Sequence, residues 1–172
     1  MIKLAVISDT HWSSWNLADP LVRQLEKILQ EGGYDQIWHA GDVTASAVLE
    51  KLETFAPVVC VKGNCDSFLG RRLPHSVTET LEQVKIAMIH GWDLPLDHAP
   101  TVLGRFPSEV SVIIHGHTHR RRFQETADGG ATIINPGSVS SPRGGETPGY
   151  GELRISGGQW EYRSFSLSDV FQ

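Results

Sequence analysis

Cysteine is nearly absent from this chain: Cys60 and Cys65 are the only two. Two cysteines cannot build a disulfide framework, and their spacing lacks the paired pattern of a zinc ribbon, so a reducing compartment is expected. Long apolar runs are missing as well; nothing approaches the roughly 20 consecutive apolar residues of a membrane-spanning helix. The opening Met1-Ile2-Lys3-Leu4-Ala5-Val6-Ile7-Ser8-Asp9 meets an acid, and then His11, before a cleavable apolar segment could end. That makes a cytoplasmic location the default expectation. Positive charge is scarce: the formal net charge of -5 leaves no general electrostatic footprint for DNA or RNA. The run Arg120-Arg121-Arg122 is the local exception. Such a run is ordinarily a solvated strand face, although its place just after a histidine cluster leaves room for phosphate attraction. No internal repeat stands out, and the loose stretch from Ser140 to Pro148 reads as a surface loop rather than a linker.

What is present fits one domain spanning 1–172. The chain is 172 residues long, 40% hydrophobic and 20% charged, enough to bury a core without disulfides or structural zinc. Lys3 to Ser8 is a buried-strand pattern, and Leu17 to Gln30 places Leu21, Leu25, Ile28 and Leu29 near helical spacing, stopped by Gly32-Gly33. Gln36 to Ala40 predicts a second strand, Ala45 to Phe55 a second helix and Val58 to Lys62 a third strand, a series that favours a parallel sheet covered by helices. The second half is richer in strands. Ser76 to Leu81 and Val84 to His90 pair across a short turn, and Leu96 to Phe106 allows a helix. Five more strands follow at Val110 to His115, Arg121 to Thr126, Ala131 to Asn135, Gly149 to Ile155 and Gln159 to Ser166, with turns at Asp128-Gly129-Gly130 and Gly157-Gly158. So many strands suggest two packed sheets.

Polar residues recur where these strands end. Asp9 and His11, Asp42 after Gly41, and Asn64 after Gly63 follow the first three strands, and ligands of open α/β sheets bind at such carboxyl ends. His90 and the pair His117 and His119 follow two later strands. Two aspartates, one asparagine and four histidines suit two divalent ions. Carboxylates and imidazoles take manganese, iron, zinc, nickel or cobalt, and an asparagine oxygen adds a neutral hard ligand. Asp42 is the natural bridge, since a carboxylate can hold an ion on each oxygen. Two divalent ions outweigh two aspartates in charge, and the surplus can attract a phosphate. Taken singly, each residue has a plainer reading: Asp9 as a turn residue, Asp42 as a cap for the helix at Ala45, Asn64 in a left-handed turn, any histidine as a packed side chain.

Asp9-x-His11, Gly41-Asp42, Gly63-Asn64-Cys65-Asp66, His90-Gly91 and Gly116-His117-Thr118-His119 stand in the order of the calcineurin-like metallophosphoesterase superfamily, which the chain resembles from Asp9 to about Arg143. Asn135-Pro136-Gly137-Ser138 with Ser141-Pro142-Arg143 resembles its small YfcE-like phosphodiesterase branch. The resemblance implies a four-layer α/β/β/α sandwich of two mixed sheets and a dinuclear centre at the sheet edge. It places Asp9, His11 and His119 on one ion, Asn64, His90 and His117 on the other, and Asp42 between them. Asp42 and Asn64 would serve catalysis, with a hydroxide between the ions attacking phosphorus and Asn64 stabilising the phosphoryl charge. Manganese is the expected ion, with nickel, iron, zinc, cobalt or magnesium as alternatives, and a homo-oligomer is expected from the family.

Cys65 stands where many members of the wider superfamily carry a histidine that protonates the leaving group, so the general acid is unassigned. His39 and His115 read as packed or supporting residues, His75 and His98 as surface or structural ones. Trp12, Trp15 and Trp92 fall near the ligands, where packing competes with a role in walling a cleft. No compact arginine clamp is identifiable within the motifs, which favours a small phosphodiester over a monoester dianion. The alternatives are a phosphomonoesterase or protein phosphatase, and a non-catalytic scaffold like the metallophosphoesterase-like subunit of the retromer coat.

Overall fold

The structure is a computed structural model that describes residues 1–67, 72–126 and 129–167. Strand β1 (Ile2–Ile7) leads into helix α1 (Pro20–Glu31), β2 (Gln36–His39), α2 (Ser46–Glu53) and β3 (Val58–Cys60). The hairpin β4 (Ser76–Leu81) and β5 (Val84–Ile89) follows, then α3 (Ala99–Leu103), β6 (Val112–His115), β7 (Arg121–Glu125), β8 (Thr132–Pro136), β9 (Gly149–Ser156) and β10 (Gln159–Ser166). The strands form two mixed five-stranded sheets ordered β10-β9-β1-β2-β3 and β4-β5-β6-β8-β7. In the first, β1, β2 and β3 run parallel while β9 and β10 return antiparallel. In the second, β5, β6 and β8 are parallel, with β4 and β7 antiparallel at the edges.

Strand alternation explains the layering. Leu4, Val6 and Trp38 from the first sheet meet Ile86, Met88, Val112 and Ile114 from the second in one core between the sheets. The alternate residues Ala5, Ile7 and Ile37 face outward under α1 and α2, against Val22, Leu25, Leu29, Val48 and Leu52. Ala87, Ile113 and Ile133 form the opposite outer face beneath Leu96 and Val102. Both faces of the central strands are therefore covered, which is why they read as unbroken apolar runs. The expected four layers are present.

Several boundaries differ from those expected, for local reasons. α1 begins at Pro20 rather than near Leu17 because Asp19 accepts the Leu21 N–H at 2.8 Å as N-cap and proline suits the first turn. α3 is shorter than Leu96 to Phe106 because Pro100 is tolerated only in its first turn and Gly104 closes it. β3 stops at Cys60 because the Lys62 N–H turns to the carbonyl of Pro74. Of the expected turn at 128–130, Asp128 lies outside the described residues; Gly129 and Gly130 are there, and Gly129 has a φ of 68°. Among the described residues no helix is long and apolar enough to cross a membrane.

Candidate metal centre

The carboxyl ends of β1, β2, β3, β5 and β6 meet at one edge of the two sheets, and the loops leaving them carry Asp9, His11, Asp42, Asn64, His90, His117 and His119. Asp9 Oδ1 lies 3.2 Å from His119 Nε2, 3.8 Å from His11 Nε2 and 3.9 Å from His90 Nε2. Asp42 Oδ2 lies 3.5 Å from His11 Nε2 and 3.4 Å from His90 Nε2. His90 Nε2 is also 3.2 Å from Asn64 Oδ1. Two clusters emerge, Asp9 with His11 and His119, and Asp9 with Asp42 and His90, each holding its ligand atoms within 4.8 Å of one another. His117 stands outside these groups, its ring 5.2 Å from that of His90. The Cys65 thiol joins a third group with His11 and Asp42.

The backbone is bent to deliver these groups. Asp9, His11, Asp42, His117 and His119 all have left-handed φ, between 47° and 67°, a conformation that costs an L-residue roughly 1–3 kcal/mol. It is held by neighbours: the N–H of Asp9 donates to Gly41 and that of His11 to Asp42. Ser138 and Ser140 hydroxyls both donate to the Asp9 carbonyl, at 2.7 and 3.1 Å. Two of the plainer readings do not hold here. α2 has Ala45 as its N-cap with no side-chain cap, so Asp42 is not spent on that helix. Asn64 is not among the left-handed residues.

Second-layer contacts aim the ring nitrogens. His90 Nδ1 lies 2.7 Å from the carbonyl of Ala40 and His119 Nδ1 2.7 Å from that of Ser141. A carbonyl only accepts, so each Nδ1 carries a proton and each Nε2 is turned to the centre. Asp9 Oδ2 accepts from Ser8 Oγ at 2.6 Å and from the His117 N–H at 3.1 Å. Asp42 Oδ1 accepts the Cys65 N–H at 2.8 Å. Asp9 Oδ1, by contrast, is buried and meets no donor with hydrogen-bond geometry. A buried carboxylate oxygen left facing three imidazole nitrogens is costly unless a cation sits among them, and the donor set is one that divalent ions take. The residues present fit the group that the sequence implies.

Charges follow the same geometry. Burial alone would raise the Asp9 carboxyl, but the imidazoles of His11 and His119, the charge of His90 and the Ser8 hydroxyl pull it well below the usual carboxylate range. Burial likewise opposes the ionised Asp42, and His90 with the Cys65 N–H carries it downward. His90 is raised because Asp42 and Asp9 outweigh its burial. His119 is raised chiefly by Asp9. His117 is lowered by burial and by the neighbouring His90. Burial and the carboxylates of Asp42 and Asp66 push the Cys65 thiol up to about 11.

His39 and His115 are the supporting residues expected. His39 Nδ1 accepts the Gly41 N–H and its Nε2 faces Thr10 Oγ1, while burial lowers both His39 and His115 to about 4. His98 pairs with Thr101 outside the centre, and His75 sits 3.6 Å from Asp93. Trp12 and Trp15 pack edge to face in the outer core, whereas Trp92 lies against His90 at 5.9 Å and edges the centre. Asn135 donates to the Gly116 carbonyl at 2.9 Å and accepts the Gly137 N–H at 2.8 Å, shaping the loop as expected.

Two features escaped the sequence. Asp66 accepts the N–H groups of Asp42 (3.0 Å), Gly63 (2.6 Å) and Thr44 (2.9 Å), fastening the Asp42 loop to the Asn64 loop. Its place two residues after Asn64 was the available signal. Arginines also gather beside the centre: Arg120, Arg122 and Arg143 line a cleft of ≈ 580 Å³ that includes His117 and Thr118. The basic run thus lines a cleft beside the centre, a gathering that the motifs alone did not reveal.

Residues 2–158 match the model of the calcineurin-like phosphoesterase superfamily domain. A probable metallophosphoesterase of Methanothermobacter thermautotrophicus is 35% identical over 161 residues, covering 90% of this chain and 86% of the relative. Phosphodiesterase YfcE of Escherichia coli is 28% identical over 173 residues, covering 89% of this chain and 88% of the relative. Its solved structure, described as a phosphoesterase, superposes with a TM-score of 0.69 over 96% of this chain and all of its own, at 25% identity. Chaetomium thermophilum Vps29 shares the fold at a TM-score of 0.77 and 20% identity, with 96% of each chain covered. With that model matched across most of its length and a relative 35% identical over 90% of it, the chain belongs to the calcineurin-like phosphoesterase superfamily.

Proposed function

We propose that this chain is a metal-dependent phosphodiesterase of the cytoplasm with a two-ion centre, manganese being the first candidate. Asp9, His11 and His119 would hold one ion and Asn64, His90 and His117 the other, with Asp42 shared. The observation that carries this reading is the buried, unpartnered Asp9 Oδ1 set among three imidazole nitrogens, beside an Asp42 Oδ2 within 3.5 Å of two of them. When bound, such a pair of ions supplies Lewis acidity at phosphoryl oxygens and acidifies a water enough to make a hydroxide nucleophile at neutral pH.

The chain's own groups do the rest. Asp42 keeps Oδ2 for the centre by spending Oδ1 on the Cys65 N–H. Asn64 turns its oxygen toward His90 and its amide toward Cys65 Sγ at 3.3 Å, so its N–H groups stand at the open rim to stabilise charge on phosphoryl oxygens. Burial and the neighbouring carboxylates raise the Cys65 thiol, and nothing in its surroundings makes it a designed acid. The leaving group therefore departs with little help, and activity should favour esters of acidic alcohols. A rate unchanged across a series of leaving-group pKa values would count against this.

The diester assignment draws support from the phosphodiesterase name of the YfcE relative. Metal analysis with manganese-dependent hydrolysis of bis(p-nitrophenyl) phosphate tests the whole reading. Turnover in the wild type that Asn64→Ala removes is the expected result, and bound metal without turnover in either protein would favour a scaffold. Rates on mono- and diesters of one alcohol decide between phosphodiesterase and phosphatase.

A further inference from the structure

The three arginines are not candidate ligands, yet the cleft they line includes His117 and so opens directly on the centre. Arg120 follows His119 in the chain, and the Arg143 N–H donates to the His119 carbonyl at 3.0 Å, so both arginines are anchored to the backbone of a candidate ligand. Arg120 lies across Gly144, where an added Cβ would come within 3.0 Å of its Nε; this glycine leaves the guanidinium its room. Arg122 is half-buried and held in place, donating to the Leu96 carbonyl and to Gln124 Oε1, which leaves further N–H groups free. Arg121 also lines the cleft, but its Nη2 is spent on the carbonyls of Thr147 and Pro148. Among the described residues the guanidiniums of Arg120 and Arg143 have no hydrogen bond or ion pair, and Asp97 is the one carboxylate lining the cleft.

Three guanidiniums facing one carboxylate, next to a centre that already offers cations for the scissile phosphate, are an excess that a simple diester monoanion does not use. Arginine forks match phosphate oxygens, and a cleft of ≈ 580 Å³ has room for a second anion and the group linking it to the first. The overall charge of -5 works against a long polyanion, so the occupant is small. We propose that Arg120, Arg122 and Arg143 form a subsite for a second phosphate, and that the substrate is a small phosphodiester with a further terminal phosphate on one of its esterified groups. This rests on the phosphodiesterase reading above and narrows it.

The test uses two esters with one leaving group: thymidine 5′-(p-nitrophenyl phosphate) with a 3′-hydroxyl or with a 3′-phosphate. Charge-assisted contacts of this kind predict roughly a 10- to 100-fold higher kcat/KM for the 3′-phosphate ester, expressed mainly in KM. The ratio of the two esters should collapse toward one in the Arg120→Gln/Arg143→Gln double variant and persist in Arg163→Gln, an exposed arginine on β10. Calorimetric binding of thymidine 3′,5′-bisphosphate against thymidine 5′-monophosphate reads the same ratio without turnover, and thermal melts confirm that the variants fold. Equal handling of the paired compounds by the wild type, or a preference that survives the double variant, overturns the subsite. Arginine-dependent binding without hydrolysis of either ester would sink the phosphodiesterase reading and leave the subsite standing.

Discussion

The two halves of the proposed centre are built to different tolerances. Asp9 and His119 are buried, Asp9 Oδ2 is tied to Ser8 and the His117 N–H, and His119 is aimed by the Ser141 carbonyl. Asn64 is exposed with its amide resting on Cys65 Sγ, and no hydrogen bond reaches the His117 ring among the described residues. His90 is the firm point of that second half, held by Ala40. A half fixed in advance is filled at lower cost than one whose side chains must still be ordered. Two ions should therefore bind with unequal affinity, the tighter one at Asp9, His11 and His119.

The sharpest way to break this comparison is to remove what the halves share. Asp42→Ala should abolish both binding steps and lower activity on the order of a thousandfold or more; a calorimetric manganese titration that kept one normal step would sink the idea of a shared carboxylate. Next come the halves themselves. His119→Ala should delete the tight step and His117→Ala the weak one, and identical titrations for the two variants would erase the distinction. Asp66→Asn touches no ion but loosens the fastening between the Asp42 and Asn64 loops, so about a 10- to 100-fold loss of metal affinity is expected.

A smaller effect comes from behind the centre. Folding keeps His39 and His115 neutral down to about 4, whereas in the unfolded chain they take protons near 6.5. The folded pKa values are depressed, so the unfolded state binds more protons between these limits. Their contribution to stability is complete above pH 6.5 and lost as pH falls toward 4, opposed by His90 and His119, whose raised values add stability at lower pH. Melts of chelator-treated protein should show Tm dropping from pH 7 to pH 5, and less steeply in His39→Gln. Smallest of all, Cys65→Ala should change the rate on a p-nitrophenyl ester by no more than about twofold, because so acidic a leaving group needs little protonation.

Much of the fold was legible because its central strands are covered on both faces and so betray themselves as apolar runs. Lys3 to Ser8, Gln36 to Ala40 and Val84 to His90 each lie within a residue or two of a real strand. The candidate ligands stood out because strand ends collect function, and Asp9, Asp42, Asn64 and His90 sit just past those ends. What stayed hidden depends on meetings between distant segments. Arg143 reaches the Arg120 and Arg122 cleft only through the loop that bonds to His119. Asp66 ends the Gly63-Asn64-Cys65-Asp66 motif, yet nothing in its spacing reveals three backbone donors converging on one carboxylate. Left-handed φ at Asp9, His11 and Asp42 was equally invisible, since the mild preference of Asp and His for it singles out no position and tertiary bonds hold it here.

Gly63 and Gly116 carry a last consequence. A Cβ at Gly63 would fall 2.1 Å from Asp42 Oδ1, and one at Gly116 would fall 2.2 Å from Ser8 Oγ, the hydroxyl that steadies Asp9. The centre is thus defined partly by hydrogen atoms standing where side chains usually begin. A descendant of this chain could keep all of its candidate ligands, acquire one methyl group at residue 63 or 116, and lose the centre while still reading as intact. Inheritance of the activity runs through these two empty spaces as surely as through the imidazoles.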